Sequence, residues 1–267
     1  MSHSQAIDGR ASFCPEHFEP LFAAEDRHFW FRARNRCIAA TARLIPQRNS
    51  IKDIIEHGCG TGFVLRELER IFPDARITGA DLFAEGLSLA RKRFGGTLVR
   101  GDLLHCGYRE AFDLVGLFDV LEHLDDDLRA LQVLREQLRP GGWLLMTVPA
   151  HRVLWSDYDV ASGHRRRYSR SELMGRLSQA GFEVKFCTEF MFALFPLMLL
   201  RRRLSWGRKG TASTVAPSPG NLNDELHVHP LLNRLLEAIL RPEPWWIEKG
   251  SRMLCGTSLL ALATRKA

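Results

Sequence analysis

The chain has 267 residues, of which 45% are hydrophobic and 25% are charged, a balance typical of a globular protein that buries a substantial core. Its formal net charge of +6 favours anionic partners, and its six scattered cysteines form no CxxC pair, which argues against a zinc ribbon or a redox motif. The longest apolar run, residues 190–200, is too short to cross a bilayer, and the first ten residues lack the apolar core of a signal peptide, so we expect a cytoplasmic protein.

The first fifty residues predict helices. Apolar side chains recur at helical spacing over residues 18–45, which indicates one or two helices, and a break follows at 46–50. An aromatic and basic cluster that includes Trp30 lies on this segment. Core packing of an amphipathic helix and contact with a ligand are both consistent with the cluster.

From residue 51 onward, short apolar strands alternate with amphipathic helices. Such an alternation implies βαβ units, right-handed crossovers and a doubly wound α/β domain. Ser169 and Glu172 have the spacing of a capping box, which predicts that a helix begins there. The predicted strands cover residues 51–57, 75–81, 97–102, part of 111–124, 143–149 and 182–189, and the predicted helices cover 63–72, 84–94, 125–138 and 169–180.

The C-terminal part of the chain has a different composition. Residues 190–206 are apolar and then basic, and they predict a helix. Residues 207–220 are rich in Gly, Ser, Thr and Pro, and we expect them to be mobile. Residues 228–254 predict further helix, and residues 256–266 predict a last strand.

The strongest functional signal is the segment Glu56-His-Gly-Cys-Gly-Thr-Gly62, between a strand and a helix. Glycines let the backbone turn sharply and approach a ligand, and the helix that follows offers free amides. Asp81 and Asp102 end the next two strands. Ligands bind at this edge of a doubly wound sheet, and an acid after the second strand can accept hydrogen bonds from ribose hydroxyls. The pattern therefore predicts a nucleotide-type site.

These segments resemble the class I S-adenosylmethionine-dependent methyltransferases, particularly the small-molecule branch similar to ubiquinone and menaquinone biosynthesis methyltransferases. The matching stretches are EHGCGTG, GADLFAEGL, GDLL, FDLVGLFDVLEHL and LRPGGWLLMTVP. The resemblance implies an α/β fold with a doubly wound, Rossmann-like, seven-stranded sheet. It also implies N-terminal lid helices at 1–50, a cofactor-binding core at 51–189 and 255–267, and a helical insertion at 190–254 that caps the substrate.

The resemblance further implies that the cofactor is S-adenosylmethionine and that S-adenosylhomocysteine is a product. Glu56 would face the ammonium group, Asp81 would hold the ribose hydroxyls, and Asp102 would contact the adenine. The family often has Asp where this chain has Glu56, and His57 replaces a commonly apolar residue. The implied cofactor-binding residues are Glu56, Gly58, Cys59, Gly60, Gly62, Asp81, Leu82, Asp102, Leu103 and Phe118.

Asp119, Glu122 and His123 follow the fourth strand at i, i+3, i+4 spacing. They could stabilise the strand-to-helix turn, or His123 could act as a base or orient the acceptor. A third interpretation is that they bind a divalent metal with His151 or His164, an arrangement that some relatives with a similar segment use. We favour a site without metal, in which His123, Asp119 and His164 are the catalytic residues.

The loop at 151–168 follows the fifth strand and should overhang the site, where loops usually carry specificity. Its arginines could hold a carboxylate or phosphate, or they could form ion pairs within their own domain. The predicted substrate-binding residues are Trp30, Trp155, Arg165 and Tyr168.

The leading functional hypothesis is methylation of a small, lipophilic or acidic metabolite, with oxygen favoured as the acceptor atom. One rival is a different use of the cofactor, such as intramolecular cyclisation that releases methylthioadenosine. Another rival is a nucleic-acid-binding module, which we do not favour. The apolar and basic insertion could cap the substrate, contact a membrane surface peripherally or form a dimer interface, and we expect a monomer or a homodimer.

Overall fold

The computed structural model describes residues 14–206 and 226–266, with side chains described outside 201–206. Over these ranges seven strands form one sheet in the order β3-β2-β1-β4-β5-β7-β6. This confirms the predicted seven-stranded α/β fold. The strands are β1 (Asp53–His57), β2 (Arg76–Asp81), β3 (Thr97–Arg100), β4 (Phe112–Phe118), β5 (Leu138–Pro149), β6 (Phe182–Phe190) and β7 (Ser258–Arg265).

The chain reverses its winding direction at β1, which pairs in parallel with both β2 and β4. The pairs β2–β3 and β4–β5 are also parallel, whereas β7 lies antiparallel between β5 and β6. The point at which the strand order reverses leaves a crevice at the carboxyl ends of the strands. The sheet topology therefore places the candidate site beside β1 and its two neighbours.

The helices lie close to their predicted positions. A capping box begins α7, in which the Ser169 amide donates to Glu172 Oε2 (2.8 Å) and the Glu172 amide donates to Ser169 Oγ (3.2 Å). The helices are α1 (Phe18–Glu25), α2 (Phe29–Ala42), α3 (Phe63–Ile71), α4 (Ala84–Ala90), α5 (Asp127–Gln137), α6 (Asp157–Ala161), α7 (Arg170–Gln179), α8 (Leu194–Trp206), α9 (Pro230–Leu240) and α10 (Glu243–Glu248).

Two elements differ from the sequence-based expectation. The stretch at 139–142, which separates the predicted helix 125–138 from the predicted strand 143–149, lies inside β5 as an irregularity, with Gly141 at a φ of 74°. The loop after β5, predicted without regular structure, contains α6. Ser156 and Asp159 form a second capping box there, which stabilises one helical turn and a half in an otherwise polar segment.

The sheet separates two hydrophobic cores, so consecutive strand residues are buried on opposite faces. In β1, the fully buried Ile54 packs with α2 and α3, whereas the equally buried Ile55 packs with α5 and α7. In β4, Leu114 belongs to the same core as Ile54, and Val115 belongs to the same core as Ile55. Burial on both faces explains why these strands are almost continuously apolar in sequence.

The insertion before β7 packs on the outer side of α2. Asn233 of α9 accepts a hydrogen bond from the Phe29 amide (2.8 Å) and donates one to the Arg27 carbonyl (2.9 Å). Glu237 of the same helix forms ion pairs with Arg32 (2.8 Å) and Arg36. The insertion therefore fixes the start and the outer face of α2.

Two sequence-based expectations concern membranes and mobility. Across residues 14–206 and 226–266, every helix is too short or too polar to traverse a bilayer. The stretch at 207–220, predicted to be mobile, lies outside the described residues.

Candidate active site

A cavity of about 310 Å³ lies at the carboxyl ends of β1, β2, β3 and β4. Helices α1 and α2 cover it from one side, and residues after β4 and in the loop around α6 close its far end. Thirteen of the sequence-predicted site residues line it: Trp30, Glu56, Gly58, Cys59, Gly60, Asp81, Leu82, Asp102, Leu103, Phe118, Asp119, His123 and His164.

The glycine loop turns tightly because side chains are excluded there. Gly58 has a φ of 68°, and a Cβ at this position would lie 2.3 Å from Val120 Cγ2. Gly62 also has a positive φ, at 77°, and is the N-cap residue of α3. Ala90 of α4 lies so close that a Cβ added to Gly62 would be 3.0 Å from the Ala90 Cβ. Gly62 does not line the cavity, so its position is that of a packing glycine between two helices.

Asp81, at the end of β2, holds the glycine loop in place. Its Oδ2 accepts a hydrogen bond from the Gly60 amide (2.7 Å), and its Oδ1 accepts one from the Phe83 amide (2.8 Å). Burial raises the pKa of this carboxyl, and these backbone donors oppose the rise. Each carboxylate oxygen has a second lone pair, so Asp81 can also accept hydrogen bonds from ligand hydroxyls.

Glu56 is a buried acid at the end of β1. Its Oε2 has no hydrogen-bond partner among the described residues. Burial raises the pKa of Glu56 well above its usual range, Arg34 opposes the rise, and Asp81 adds to it. A buried carboxyl whose oxygen lacks a hydrogen-bond partner would be stabilised by pairing with a cationic ligand group.

Arg34 of α2 is a site residue to which the sequence-based prediction gave no role. Its Nη1 lies 2.5 Å from Asp119 Oδ2, and its guanidinium lies 5.2 Å from the centre of the Trp30 ring. Arg34 is the one Arg or Lys among the described residues that line the cavity, whereas five acids line it: Glu25, Glu56, Asp81, Asp102 and Asp119. This excess of acids favours a ligand that carries positive charge.

A second missed group links α1 to the glycine loop. Glu25 accepts a hydrogen bond from Thr61 Oγ1 (2.5 Å) and forms an ion pair with Arg93, whose side chain is almost fully buried. Arg93 also donates to the Phe22 carbonyl (2.6 Å). Glu25, Thr61 and Arg93 are distant from one another in sequence and follow no local pattern, so only the fold reveals this network.

The far end of the cavity contains the acid and the histidines after β4. Asp119 has a φ of 55°, a left-handed conformation that costs a non-glycine residue about 1–3 kcal/mol and is concentrated at functional sites. Residues Leu121–His123 form a 3₁₀ turn, so the predicted spacing on one α-helical face does not apply. Burial and the neighbouring His164 lower the pKa of His123 to about 4, which leaves its imidazole neutral at pH 7.

Tertiary structure brings His164 to this end of the cavity. Its ring lies 4.8 Å from that of His123, and its Nδ1 lies 2.8 Å from Asp159 Oδ1. Glu122 is fully buried behind the two histidines. His151, the other histidine considered at the sequence level, instead lies 2.7 Å from Glu189 through its Nε2.

Three predicted substrate-binding residues do not line the cavity. Trp155 is 37% exposed, and the buried Tyr168 donates its hydroxyl to Asp127 Oδ2 (3.0 Å). Arg165 donates to the His123 carbonyl (2.7 Å) and forms an ion pair with Asp125. The structure does not bring these three to the cavity, and Arg165 follows the ion-pair alternative because Asp125, which lies just before α5, faces this loop.

Comparisons with known proteins agree with this geometry. A family model described as a methyltransferase domain matches residues 29–185. A probable S-adenosylmethionine-dependent methyltransferase of Mycolicibacterium smegmatis is 29% identical over 168 residues, which cover 60% of this chain and 62% of that protein. A trans-aconitate 2-methyltransferase of Deinococcus radiodurans is 34% identical over 129 residues, which cover 47% of this chain and 49% of that protein.

The alignments thus span 62% and 49% of the length of these two curated relatives. Among solved structures, a SAM-dependent methyltransferase from Thermotoga maritima aligns with a TM-score of 0.55 at 18% sequence identity. That alignment covers 94% of this chain and 96% of the other. At this identity the structural similarity shows a shared fold.

Proposed function

This chain belongs to the class I S-adenosylmethionine-dependent methyltransferases, and on that premise we propose that it transfers the methyl group of S-adenosylmethionine to an oxygen atom of a small molecule. The observation that carries the proposal is the division of the cavity. Glu25, Glu56 and Asp81 line the cavity beside the glycine loop, and the neighbouring rings of His123 and His164 line it beyond the end of β4.

The end beside the glycine loop fits the donor. Glu56 would pair with the ammonium of the cofactor, and Arg34, which neighbours it, would pair with the α-carboxylate. Asp81 would accept hydrogen bonds from the ribose hydroxyls, because its oxygens already stand at the carboxyl end of β2. Asp102, whose side chain begins the next turn, would contact the adenine.

The other end fits a small acceptor. Phe118 and Asp119 would lie near the sulfonium, and His123 and His164 would face the acceptor. Holding the acceptor oxygen in line with the methyl–sulfur bond can lower the barrier by about 7–11 kcal/mol in ideal cases. The methyl–sulfur bond breaks as the oxygen–carbon bond forms, and the hydroxyl proton leaves to a base or to water.

Two observations favour oxygen as the acceptor atom. One relative is named a trans-aconitate 2-methyltransferase, and a carboxylate such as aconitate is already ionised at pH 7. His123 is neutral at pH 7, so it can also accept a hydrogen bond from an acceptor hydroxyl. Acidic or hydroxyl-bearing small molecules are therefore the acceptors that we propose.

Membership of an enzyme family supports methyl transfer over the rival hypothesis of a nucleic-acid-binding module. The basic run at 165–167, which could bind nucleic acid, instead forms ion pairs within the fold. Arg166 pairs with Asp127 (3.1 Å), and Arg167 pairs with Asp159 (2.7 Å). Intramolecular cyclisation of the cofactor remains the alternative because it would use the same donor end of the cavity.

Product analysis tests the proposal. The chain is incubated with S-adenosylmethionine and panels of small carboxylic acids, phenols and amines. We expect S-adenosylhomocysteine to form in amounts that depend on an acid or a hydroxyl compound. Methylthioadenosine without an acceptor would instead support cyclisation, and turnover with amines alone would contradict the choice of oxygen.

A further inference from the structure

We propose that the outer face of α9 docks on an anionic membrane surface, so that the chain binds a lipid bilayer peripherally. This face consists of the exposed side chains on the side of α9 away from α2, namely Leu231, Leu232, Arg234, Leu235 and Ile239. Membrane docking goes beyond the proposed function and does not depend on it.

The first support is the division of α9 into two sides. Leu231, Leu235 and Ile239 recur at i, i+4 and i+8, so they form one stripe along the helix, and they are 69%, 57% and 42% exposed. On the opposite side, Asn233 binds the first amide of α2, and Glu237 forms ion pairs with two arginines of α2. A continuous exposed apolar stripe marks an interaction surface, and docking through it leaves the contacts with α2 intact.

The second support is the positive charge beside this face. Every arginine and lysine in residues 226–252 is exposed: Arg234, Arg241, Lys249 and Arg252. Arg234 lies between two leucines of the face, and Arg241 directly follows the last residue of α9. A basic side chain close to an anionic leaflet strengthens binding by about fivefold, so several of them add substantially to the apolar contact.

The acids of the same segment are engaged elsewhere. Glu237 faces α2, and the buried Glu243 accepts hydrogen bonds from the two backbone amides that follow β6 (3.1 and 2.6 Å). Glu248 is exposed, and its Oε2 lies 3.6 Å from Arg43 Nη1. The exposed side of α9 therefore combines apolar and basic side chains, which is the pattern of a helix that lies in the plane of an anionic membrane surface.

A tryptophan on the next helix extends this pattern. Trp245 of α10 is 60% exposed, whereas Ile247 of the same helix is fully buried in the core that contains α2. Helix α10 thus turns one side toward α2 and another toward solvent, as α9 does. Tryptophan favours the boundary between lipid and water, because its ring is apolar and its N–H group is polar.

The same composition argues against two other occupants. A nucleic acid would meet a face in which four aliphatic side chains surround a single arginine, Arg234. A second copy of the chain, docked through the same face, would bring the two copies of Arg234 close together, and like charges repel. An anionic bilayer offers both an apolar phase and negative charge, so it matches both features of the face.

Binding to vesicles can be measured on the full chain. The protein is sedimented with vesicles of phosphatidylcholine alone, or of equal parts of phosphatidylcholine and phosphatidylglycerol, at low and at high salt. We expect it to bind the anionic vesicles at least about tenfold more tightly than the neutral ones. Salt should weaken this binding, because it screens the basic side chains.

Two variants with matched controls locate the contact. Leu235→Glu should weaken binding to the anionic vesicles at least about tenfold, because it removes apolar burial and adds a repelled charge. Arg234→Gln should weaken it about fivefold. The controls are Met174→Glu, at an exposed side chain of α7 on the opposite face of the sheet, and Arg109→Gln, at an exposed arginine before β4. Both should bind like the parent chain.

Trp245 provides a second measurement. Anionic vesicles that contain brominated lipid quench the fluorescence of a tryptophan that contacts the bilayer. We expect them to quench the parent chain and to quench Trp245→Phe much less. Equal quenching of the two proteins would contradict contact through this side of the molecule. Thermal unfolding checks that each variant is folded.

The proposal is overturned if the parent chain does not bind anionic vesicles, or if Leu235→Glu binds them as tightly as Met174→Glu. Sedimentation velocity without vesicles tests the second copy as occupant. A parent dimer that Leu235→Glu converts to a monomer, together with no vesicle binding, would assign the face to self-association instead. The vesicle assay contains neither S-adenosylmethionine nor acceptor, so its failure would leave methyl transfer untouched, and a failure of methyl transfer would leave vesicle binding untouched.

Discussion

Asp81 accepts hydrogen bonds from two backbone amides and still has lone pairs that face the cavity. We predict that Asp81→Ala weakens the binding of S-adenosylhomocysteine by about 1–3 kcal/mol, because ribose hydroxyls lose a buried partner. Isothermal titration calorimetry measures the change, and thermal unfolding checks that the variant is folded. Asp74→Ala removes an exposed acid outside the cavity and should bind like the parent chain. An Asp81→Ala affinity equal to that of the control would contradict the ribose assignment.

We predict that Glu56 makes cofactor binding depend on pH. Its pKa lies well above its usual range in the free protein because of burial, and a cationic ligand beside it favours the ionised form. Glu56 must therefore release a proton when the ligand ammonium binds. At pH values below its raised pKa this release opposes binding, so affinity should rise as the pH increases from 5 to 7.

The variant Glu56→Gln isolates this effect. We expect it to bind S-adenosylhomocysteine more weakly at pH 7 and with a smaller dependence on pH. Asp81 and Glu25, whose pKa values are also raised by burial, should leave a residual dependence. Calorimetry in buffers of different ionisation enthalpy measures the protons released. A pH dependence as steep in the variant as in the parent would show that Glu56 is not the group involved.

At the scale of elements, α2 depends on the insertion. Asn233 of α9 accepts a hydrogen bond from the first amide of α2 and donates one to the preceding loop, although more than 200 residues separate the partners. Trp30, Phe31 and Arg34 of α2 line the cavity, whereas no described residue of the insertion does so. We therefore propose that the insertion stabilises the position of α2 and does not itself cap the substrate.

Replacing Asn233 tests this relation. Asn233→Ala leaves the Phe29 amide without its partner, and we expect a loss of about 1–3 kcal/mol in the free energy of unfolding. Cofactor affinity should also fall, because α2 carries Arg34. The exposed Leu235 on the same helix provides the control, since Leu235→Ala should change the free energy of unfolding by less than about 0.5 kcal/mol. Equal stability of the two variants, measured by urea unfolding, would argue against a role for this contact.

The outer face of α9 is unusually apolar. Leu231, Leu235 and Ile239 are exposed along one side of the helix, while Asn233 and Glu237 face α2. The sequence-level alternatives of a membrane surface or a second subunit both fit such a face. None of these three side chains lines the cavity, so they do not contact a ligand bound there.

For the whole molecule, the cavity lies between helices α1 and α2 and the carboxyl edge of the sheet, so a ligand in it should hold these helices against the sheet. A ligand at one hundred times its dissociation constant stabilises the folded state by about 2.7 kcal/mol. We predict that S-adenosylhomocysteine at that excess raises the unfolding temperature by several degrees and slows amide exchange in α1 and α2.

Methylthioadenosine is the matched control for this experiment. It keeps the adenosine but lacks the amino-acid group that would reach Glu56 and Arg34. We therefore expect it to protect the ends of β2 and β3 without protecting α2. Equal protection of α2 by both compounds would show that the lid does not sense the amino-acid end of the ligand.

Much of the site was predictable because its residues follow strands directly. The glycine loop, Asp81 and Asp102 occupy the ends of β1, β2 and β3, so local pattern and topology place them together. Arg34, Thr61 and the Glu25–Arg93 pair were not predictable in the same way. Their partners lie on distant elements, and no periodicity in the chain reports which side chains meet.

The sequence by itself determined the order of strands and helices, the doubly wound sheet and the identity of the glycine loop. Hydrophobic periodicity and turn residues are local properties, and parallel crossovers have one preferred hand. Tertiary structure alone decided that β7 lies antiparallel, that the insertion supports α2, and that His164 rather than His151 meets Glu122 and His123. These outcomes depend on contacts between segments far apart in the chain, and such contacts form only once the helices pack on both faces of the sheet.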